Sequence, residues 1–221
     1  MDNKTATIIG STGLIGSRLL QLLINDNYFD TIKVLVRRPL GTDNPKVIVR
    51  VIDFSDIDAF RDGIVGSDAV FCAVGTTQKK VKGDKIAYYK VDYDIPVNAA
   101  KFCAETDCHH FLLVSSVGAD SKSSNFYLKL KGEVEDAVRD MNIPFVSVFR
   151  PSMLLGKREE FRLGEMIAKA MTVPVSFLFP SKYKPVNAEI IAKSMIAASR
   201  LKVTGFQIYH YKEIFELMKG H

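Results

Sequence analysis

Short apolar runs alternate with stretches of helical spacing from the first residues onward. ATIIG (6–10) is β-branched and ends in glycine, and LIGSRLLQLLIND (14–26) repeats apolar residues at helical intervals. Strands are expected at TIKVLVR (31–37) and KVIVRVIDF (46–54), joined by the turn-rich link PLGTDNP (39–45). A short helix at about 56–62 leads into the strand DAVFCAVG (68–75). KIAYYKVDYDIPVNAAKFCAETD (85–107) reads as one long helix, with a kink expected at Pro96 because proline removes an N–H and crowds the preceding turn. HFLLVSS (110–116), NFYLKLKGEVEDAVRDM (125–141) and IPFVSVFRP (143–151) continue as strand, helix and strand. Several of these strands are apolar on both faces, as strands of a parallel sheet covered by helices on both sides must be. The expected fold is α/β, a Rossmann-type doubly wound parallel sheet.

Beyond residue 152 the pattern is less regular. A helix is expected at about 162–171, followed by the Pro-interrupted stretch MTVPVSFLFP (171–180), a helix in AEIIAKSMIAASR (188–200) and a final strand and helix in GFQIYHYKEIFELMK. This tail is small for an independent domain. The chain 1–221 is therefore read as a single domain, with a core over 1–151 and a small C-terminal α+β extension over 152–221 on the substrate side of the sheet.

Composition narrows the class without naming it. Hydrophobic residues at 47% and charged residues at 25% suit a globular protein with a sizeable core. No apolar run reaches the roughly 18 residues of a membrane span, and MDNKTATIIG lacks the apolar region of a signal peptide, so the cytoplasm is the expected location. Cys72, Cys103 and Cys108 are odd in number and form no C-x-x-C pair, which favours reduced thiols in or near the core. Cys108-His109-His110 is adjacent along a strand rather than grouped on one face, and no second ligand cluster accompanies it, so no metal site is assigned. The net charge of +5 suits an anionic ligand. Nucleic-acid binding is disfavoured because the basic residues are scattered and no recognition motif accompanies them. The one local cluster, Lys79, Lys80, Lys82 and Lys85, is read as a solvated loop.

IIGSTGLIGSRLL (8–20) sets Gly10, Gly13 and Gly16 between the first strand and the first helix. In that setting the glycines serve a tight turn, close approach of backbone to a pyrophosphate, and close packing of helix on sheet. The phosphates would sit at the helix N-terminus, facing Gly10, Ser11, Thr12, Gly13, Leu14 and Ile15. The second strand ends in Arg37-Arg38 where an NAD-preferring site would carry an acid. Guanidinium groups hold a 2′-phosphate bidentately, so NADPH/NADP is favoured over NAD. Asp53-Phe54 closes the third strand and Ala73-Val74-Gly75-Thr76 the fourth, at the carboxyl edge where such ligands lie.

At that same edge the fifth strand ends in Ser115-Ser116, and the following helix carries Tyr127 and Lys131 one turn apart. A serine at this strand end, Tyr-x-x-x-Lys on the next helix, the glycine loop and the small-residue exit of the fourth strand together resemble the short-chain dehydrogenase/reductase superfamily. GSTGLIG, VLVRRP, VGTT, LLVSSVGADSKSSNFY, LKGEVE and VFRPSMLLGKREEFRLGE are similar to one atypical branch, the Tat-interacting-protein-like oxidoreductases. The resemblance implies an NADPH site formed by Arg37, Arg38, Tyr127 and Lys131, extending to Leu154 and Arg162, with Pro151 passing near the nicotinamide. It also implies hydride transfer to or from a small-molecule carbonyl or alcohol. Tyr127 would act as acid/base, Lys131 would lower the pKa of a phenol that ordinarily titrates near 10, and Ser116 would hold the substrate oxygen. Ser115 stays open as the acting hydroxyl and as a cofactor contact. Two features depart from the wider superfamily. No Asn is assigned to a proton relay, and VGAD replaces the VYG of nucleotide-sugar epimerases, which disfavours epimerase or dehydratase activity. A redox-sensing NADP(H) binder with little turnover and a regulatory protein partner is the other reading, and a homodimer is left open.

Overall fold

The first strand, β1 (Thr5–Ile9), runs through the middle of a seven-stranded sheet in which every neighbouring pair is parallel. This computed structural model describes residues 3–76, 83–152, 154–155 and 184–219. After β1 come α1 (Leu14–Ile24), β2 (Thr31–Val36), β3 (Val47–Val51), α2 (Ile57–Ile64) and β4 (Ala69–Cys72). Next are α3 (Lys85–Tyr89), a π-helical turn (Lys90–Asp94), α4 (Ile95–Glu105), β5 (His110–Val114), α5 (Phe126–Arg139) and β6 (Phe145–Phe149). The chain then forms β7 (Leu154–Leu155), β8 (Val186–Asn187), α6 (Ala188–Ala198), β9 (Gly205–Tyr209) and α7 (Tyr211–Leu217). Spatial order in the main sheet is β3-β2-β1-β4-β5-β6-β9, and β7 pairs with β8 in a separate two-stranded ladder. This is the expected doubly wound α/β fold.

Two apolar cores account for the strand sequences. Side chains alternate across a strand, so Ile8, Val34, Phe71, Leu112 and Phe149 enter the core under α1 and α6, with Leu19, Leu23, Ile191 and Met195. Their neighbours Ile9, Leu35, Val70, Leu113 and Val148 enter the opposite core, with Phe60, Phe102, Val134 and Val138. Burying each such side chain stabilises the fold by about 1.5–3 kcal/mol. The edge strand β3 is covered less, and Ile48 and Val51 remain exposed. It ends at Val51, so Asp53 and Phe54 lie beyond it rather than closing it.

The long helix expected over 85–107 is three pieces. Pro96 lacks an N–H and its ring would crowd the carbonyl of Asp92, four residues back. The π-helical turn Lys90–Asp94 lies immediately before that proline and relieves the conflict by widening the turn. The tail also differs from expectation. Rather than remaining wholly on the substrate side, residues 205–209 add a seventh parallel strand beside β6 and α6 packs on α1. The expected helix at 162–171 and the stretch 171–180 lie outside the described residues. All three cysteines are buried free thiols, and burial pushes the Cys72 thiol up to about 12.

The strand order reverses between β1 and β4: β2 and β3 lie on one side of β1, and β4, β5 and β6 on the other. Such a switch opens a crevice at the carboxyl ends of β1 and β4. Every candidate residue that the structure describes belongs to a loop or helix leaving this edge, apart from Leu154.

Candidate nucleotide-binding and catalytic site

The glycine loop lies in the crevice, and its geometry accounts for two of its glycines. Gly10 has φ +90°, and a β-carbon there would stand 2.7 Å from the carbonyl carbon of Ala73. At Gly16 a β-carbon would stand 2.1 Å from the carbonyl oxygen of Gly10. The loop, the exit of β4 and the first turn of α1 are thus in backbone contact, which only glycine allows. Gly13 is the N-cap of α1, and its N–H donates to Gly10 O at 2.9 Å. No side chain caps α1 and no acid stands in its first turn, so the helix presents its amides and positive end to the crevice. Ser11 is buried, and its Oγ has no hydrogen-bond partner among the described residues. Thr12 is exposed, while Leu14 and Ile15 begin the helix. A cradle of close backbone, a helix N-terminus without a side-chain cap and an unfilled buried hydroxyl fits a dinucleotide pyrophosphate.

Around this loop stand the other strand exits. Arg37 and Arg38 follow β2, are exposed, and have no ion-pair partner among the described residues. Asp53 accepts a hydrogen bond from the Ser55 N–H at 2.9 Å, which holds its carboxyl below the usual range. Phe54 packs edge-on against Phe60, with ring centroids 4.8 Å apart, and so belongs partly to the core. Ala73, Val74, Gly75 and Thr76 leave β4. The Thr76 N–H donates to Asp92 Oδ2 at 2.6 Å and its carbonyl accepts from the Tyr88 hydroxyl at 3.3 Å.

The two serines after β5 have different surroundings. Ser115 donates its hydroxyl to Glu135 in a hydrogen bond. That buried carboxylate is also held by Arg150, whose Nε lies 3.0 and 3.1 Å from its two oxygens. Ser115 therefore joins β5 to α5 and, through Arg150, to the exit of β6. Ser116 is also buried, but among the described residues its hydroxyl reaches only Val117 O, at 3.4 Å. The carbonyl of buried Pro151 accepts the Val117 N–H at 2.9 Å, fastening the β6 exit to this serine loop.

Tyr127 lies in the first turn of α5, a helix capped by Asn125, whose side chain accepts from the N–H groups of Tyr127 and Leu128 at 3.0 and 3.1 Å. One turn on, Lys131 is 3% exposed and its ammonium lies 5.9 Å from the centroid of the Tyr127 ring. Gly132 sits mid-helix because a β-carbon there would fall 2.1 Å from Ser121 N. The glycine lets the loop after Ser116 lie directly on α5, beside Lys131.

The residue that sequence reasoning missed is Asp92. It is fully buried in the π-helical turn, and its Oδ1 lies 3.1 Å from Lys131 Nζ. The distance is that of an ion pair, although Oδ1 lacks the alignment of a hydrogen bond. Its signal in the chain was an acid set between Val91 and Ile95 and four residues ahead of a helix proline. Leu154 belongs to β7, opposite Val186, and packs toward the α1–α6 core. Lys85 stands over the Phe126 ring at 5.5 Å. Arg162, Lys79, Lys80 and Lys82 lie outside the described residues.

A doubly wound parallel sheet with this glycine loop at its switch point is an NAD(P)-binding Rossmann-type domain. Residues 10–171 match the family model described as NAD(P)H-binding. The chain is 37% identical over 172 residues to Protein HTATIP2 of Rattus norvegicus, spanning 76% of this chain and 70% of that protein. It is 34% identical over 192 residues to Protein FMP52, mitochondrial, of Debaryomyces hansenii, spanning 86% and 84%. The chain belongs to the NAD(P)H-binding atypical short-chain dehydrogenase/reductase family, the one its motifs resemble. Among solved structures, it is similar to a UDP-N-acetylglucosamine 4-epimerase from Methanobrevibacter ruminantium M1 in complex with UDP-N-acetylmuramic acid. The TM-score is 0.71 at 15% identity, over 100% of this chain and 82% of that one. Uronate dehydrogenase from Agrobacterium tumefaciens gives 0.69 at 12% identity, over 99% and 84%. At such identities the likeness is one of fold.

Proposed function

We propose that the protein is an NADPH-dependent oxidoreductase that transfers hydride to or from a small carbonyl or alcohol. The observation that carries this reading is the buried ammonium of Lys131, one helical turn from Tyr127 and 5.9 Å from its ring centroid. A pure binding module needs no such acid–base pair. NADPH, when bound, supplies the hydride. Tyr127 gives its phenolic proton to the substrate oxygen, or takes it back in the reverse direction. The positive charge of Lys131 stabilises the phenolate that results. Ser116 donates to the substrate oxygen and orients it. Ser116 is chosen over Ser115 because the Ser115 hydroxyl is already bound to Glu135. Preference for NADPH over NADH is supported by Arg37 and Arg38, exposed guanidinium groups without an acid partner among the described residues.

The test is Tyr127→Phe, assayed with NADPH against a panel of aldehydes and ketones. NADPH affinity should stay within about twofold, while turnover falls by roughly 10²–10⁴. Turnover at the parent rate would remove Tyr127 from the chemistry. We place the protein in the cytoplasm; recovery of a tagged chain with mitochondria, the location in the name of the FMP52 relatives, would overturn that placement.

A further inference from the structure

We propose that Asp92 is the positioning residue of this site: its carboxylate keeps the Lys131 ammonium charged, holds it under Tyr127 and ties it to the exit of β4. The inference rests on the oxidoreductase reading for the role of Tyr127, but the contacts that carry it are independent of turnover. Lys131 is 3% exposed and Asp92 is 0% exposed, with 3.1 Å between Nζ and Oδ1. An ammonium so deeply buried loses its hydration, and without a compensating charge its neutral form would be favoured. Asp92 supplies that charge. Its second oxygen, Oδ2, is fixed by the Thr76 N–H at 2.6 Å, so the carboxylate cannot swing away from the lysine.

The backbone explains how an acid comes to this place. The wider π-helical turn Lys90–Asp94 rotates the helix face just ahead of Pro96, and Asp92 is the buried residue of that turn. The groups facing the ammonium come from three directions. Asp92 comes from the π-helical turn and Tyr127 from the same helix as Lys131. Cys72 comes from β4, where its thiol feels both charges: Lys131 pulls its pKa down and Asp92 pushes it up. Burial dominates there and raises that thiol to about 12, leaving it neutral. Tyr88, from α3, closes the cluster by donating to Thr76 O. Asp92 thus provides a fixed, fully buried negative charge beside Lys131.

The experiment follows the titration of Tyr127 by ultraviolet difference absorbance, with the Tyr127→Phe protein subtracted to isolate that one of the eight tyrosines. No substrate is needed. In Asp92→Asn, Tyr127 should titrate at a higher pH than in the parent, because the lysine charge that favours the phenolate is lost. Asp92→Glu, which keeps the negative charge, should recover at least half of that shift. A salt bridge that only fastened helices would leave the tyrosine titration where it is, and an unmoved titration in folded Asp92→Asn protein overturns the proposal. Should that variant fail to fold, Asp92→Asn combined with Lys131→Met removes both buried charges together. The double variant should titrate Tyr127 as Lys131→Met alone does; titration at the parent position would overturn the proposal equally. A null result here leaves hydride transfer standing, whereas parental turnover in Tyr127→Phe removes Tyr127 from the chemistry and leaves the Asp92 contacts intact.

Discussion

Ser115 and Glu135 are hydrogen-bonded in the interior, joining the end of β5 to the middle of α5. That bond separates two adjacent hydroxyls that the sequence presents as equivalent. Ser115→Ala leaves the buried, Arg150-bound carboxylate short of a donor, which should cost about 1.5–3 kcal/mol of stability with turnover retained. Ser116→Ala should do the reverse, with an unchanged melting temperature and a fall in kcat/KM of roughly 10-fold or more. Thermal melts and steady-state rates on both variants decide it, and the assignment fails if Ser115→Ala is the variant that loses activity.

The paired arginines at the exit of β2 yield a prediction about affinity alone. Replacing Arg37 and Arg38 together with alanine should weaken NADPH binding by roughly 10–100-fold, the scale of one or two charge-assisted hydrogen bonds. Binding of NADH, which has no 2′-phosphate, should change little. Raising the salt concentration should narrow the gap in the parent, since both groups are exposed and screened. Calorimetry with the two dinucleotides measures this directly; equal losses for both would assign the arginines to something other than the extra phosphate.

Gly16 is the most constrained position of the loop. Gly16→Ala places a methyl group 2.1 Å from the carbonyl oxygen of Gly10, so helix and loop must separate. Overpacking of this kind costs about 1–3 kcal/mol, only partly offset by the better helix propensity of alanine. We expect a net loss of at least about 1 kcal/mol together with weaker dinucleotide binding. Gly41→Ala, with nothing within 4 Å of the added carbon, serves as the neutral control. If urea unfolding and calorimetry cannot tell Gly16→Ala from Gly41→Ala, the backbone contact is not as tight as described.

Much of this architecture was legible because local and global signals agree. β4, β5 and β6 read as strands since each is a short run buried on both faces, and β1 and β2 do so because β-branched residues end in buried apolar positions. The glycine loop was legible for a related reason: its three glycines stand between a strand and a helix, and two of them are forced by contacts of backbone with backbone. What stayed hidden depends on distant pairings. In the chain Asp92 is one acid among several on the helix expected over 85–107, and only the π-helical turn sets it against Lys131, 39 positions further along the chain. The structural role of Ser115 depends on Glu135 and Arg150, which reach it from α5 and the end of β6. The place of 205–209 as a seventh strand was equally invisible, because GFQIY alternates no differently at the edge of this sheet than it would in a separate extension. Tyr127 and Lys131 lay between these cases: a weak pair alone, and an informative one once the strand-end serine and glycine loop stood beside them.

His110 opens β5 under the sheet, far along the strand from the crevice, and carries a pH dependence of folding that owes nothing to the active site. It is buried, its Nε2 lies 2.9 Å from Ser147 Oγ, and burial lowers its pKa to about 4. An unfolded histidine titrates near 6.5. Between these two values the unfolded chain binds the extra proton and the folded chain does not, so stability rises with pH across that window. The contribution is complete above about pH 6.5 and is lost as the pH falls toward 4, with a slope of at most about 1.4 kcal/mol per pH unit. Carboxylates held below their usual range, Asp53 and Glu189 among them, act at still lower pH, so the region from 5 to 6.5 is the informative one. His110→Gln can still pair with Ser147 but cannot be protonated there. Its unfolding free energy, measured in urea at several pH values, should therefore fall less steeply than the parent's between pH 6.5 and 5. Parallel curves for the two proteins would mean that His110 is not the group responsible.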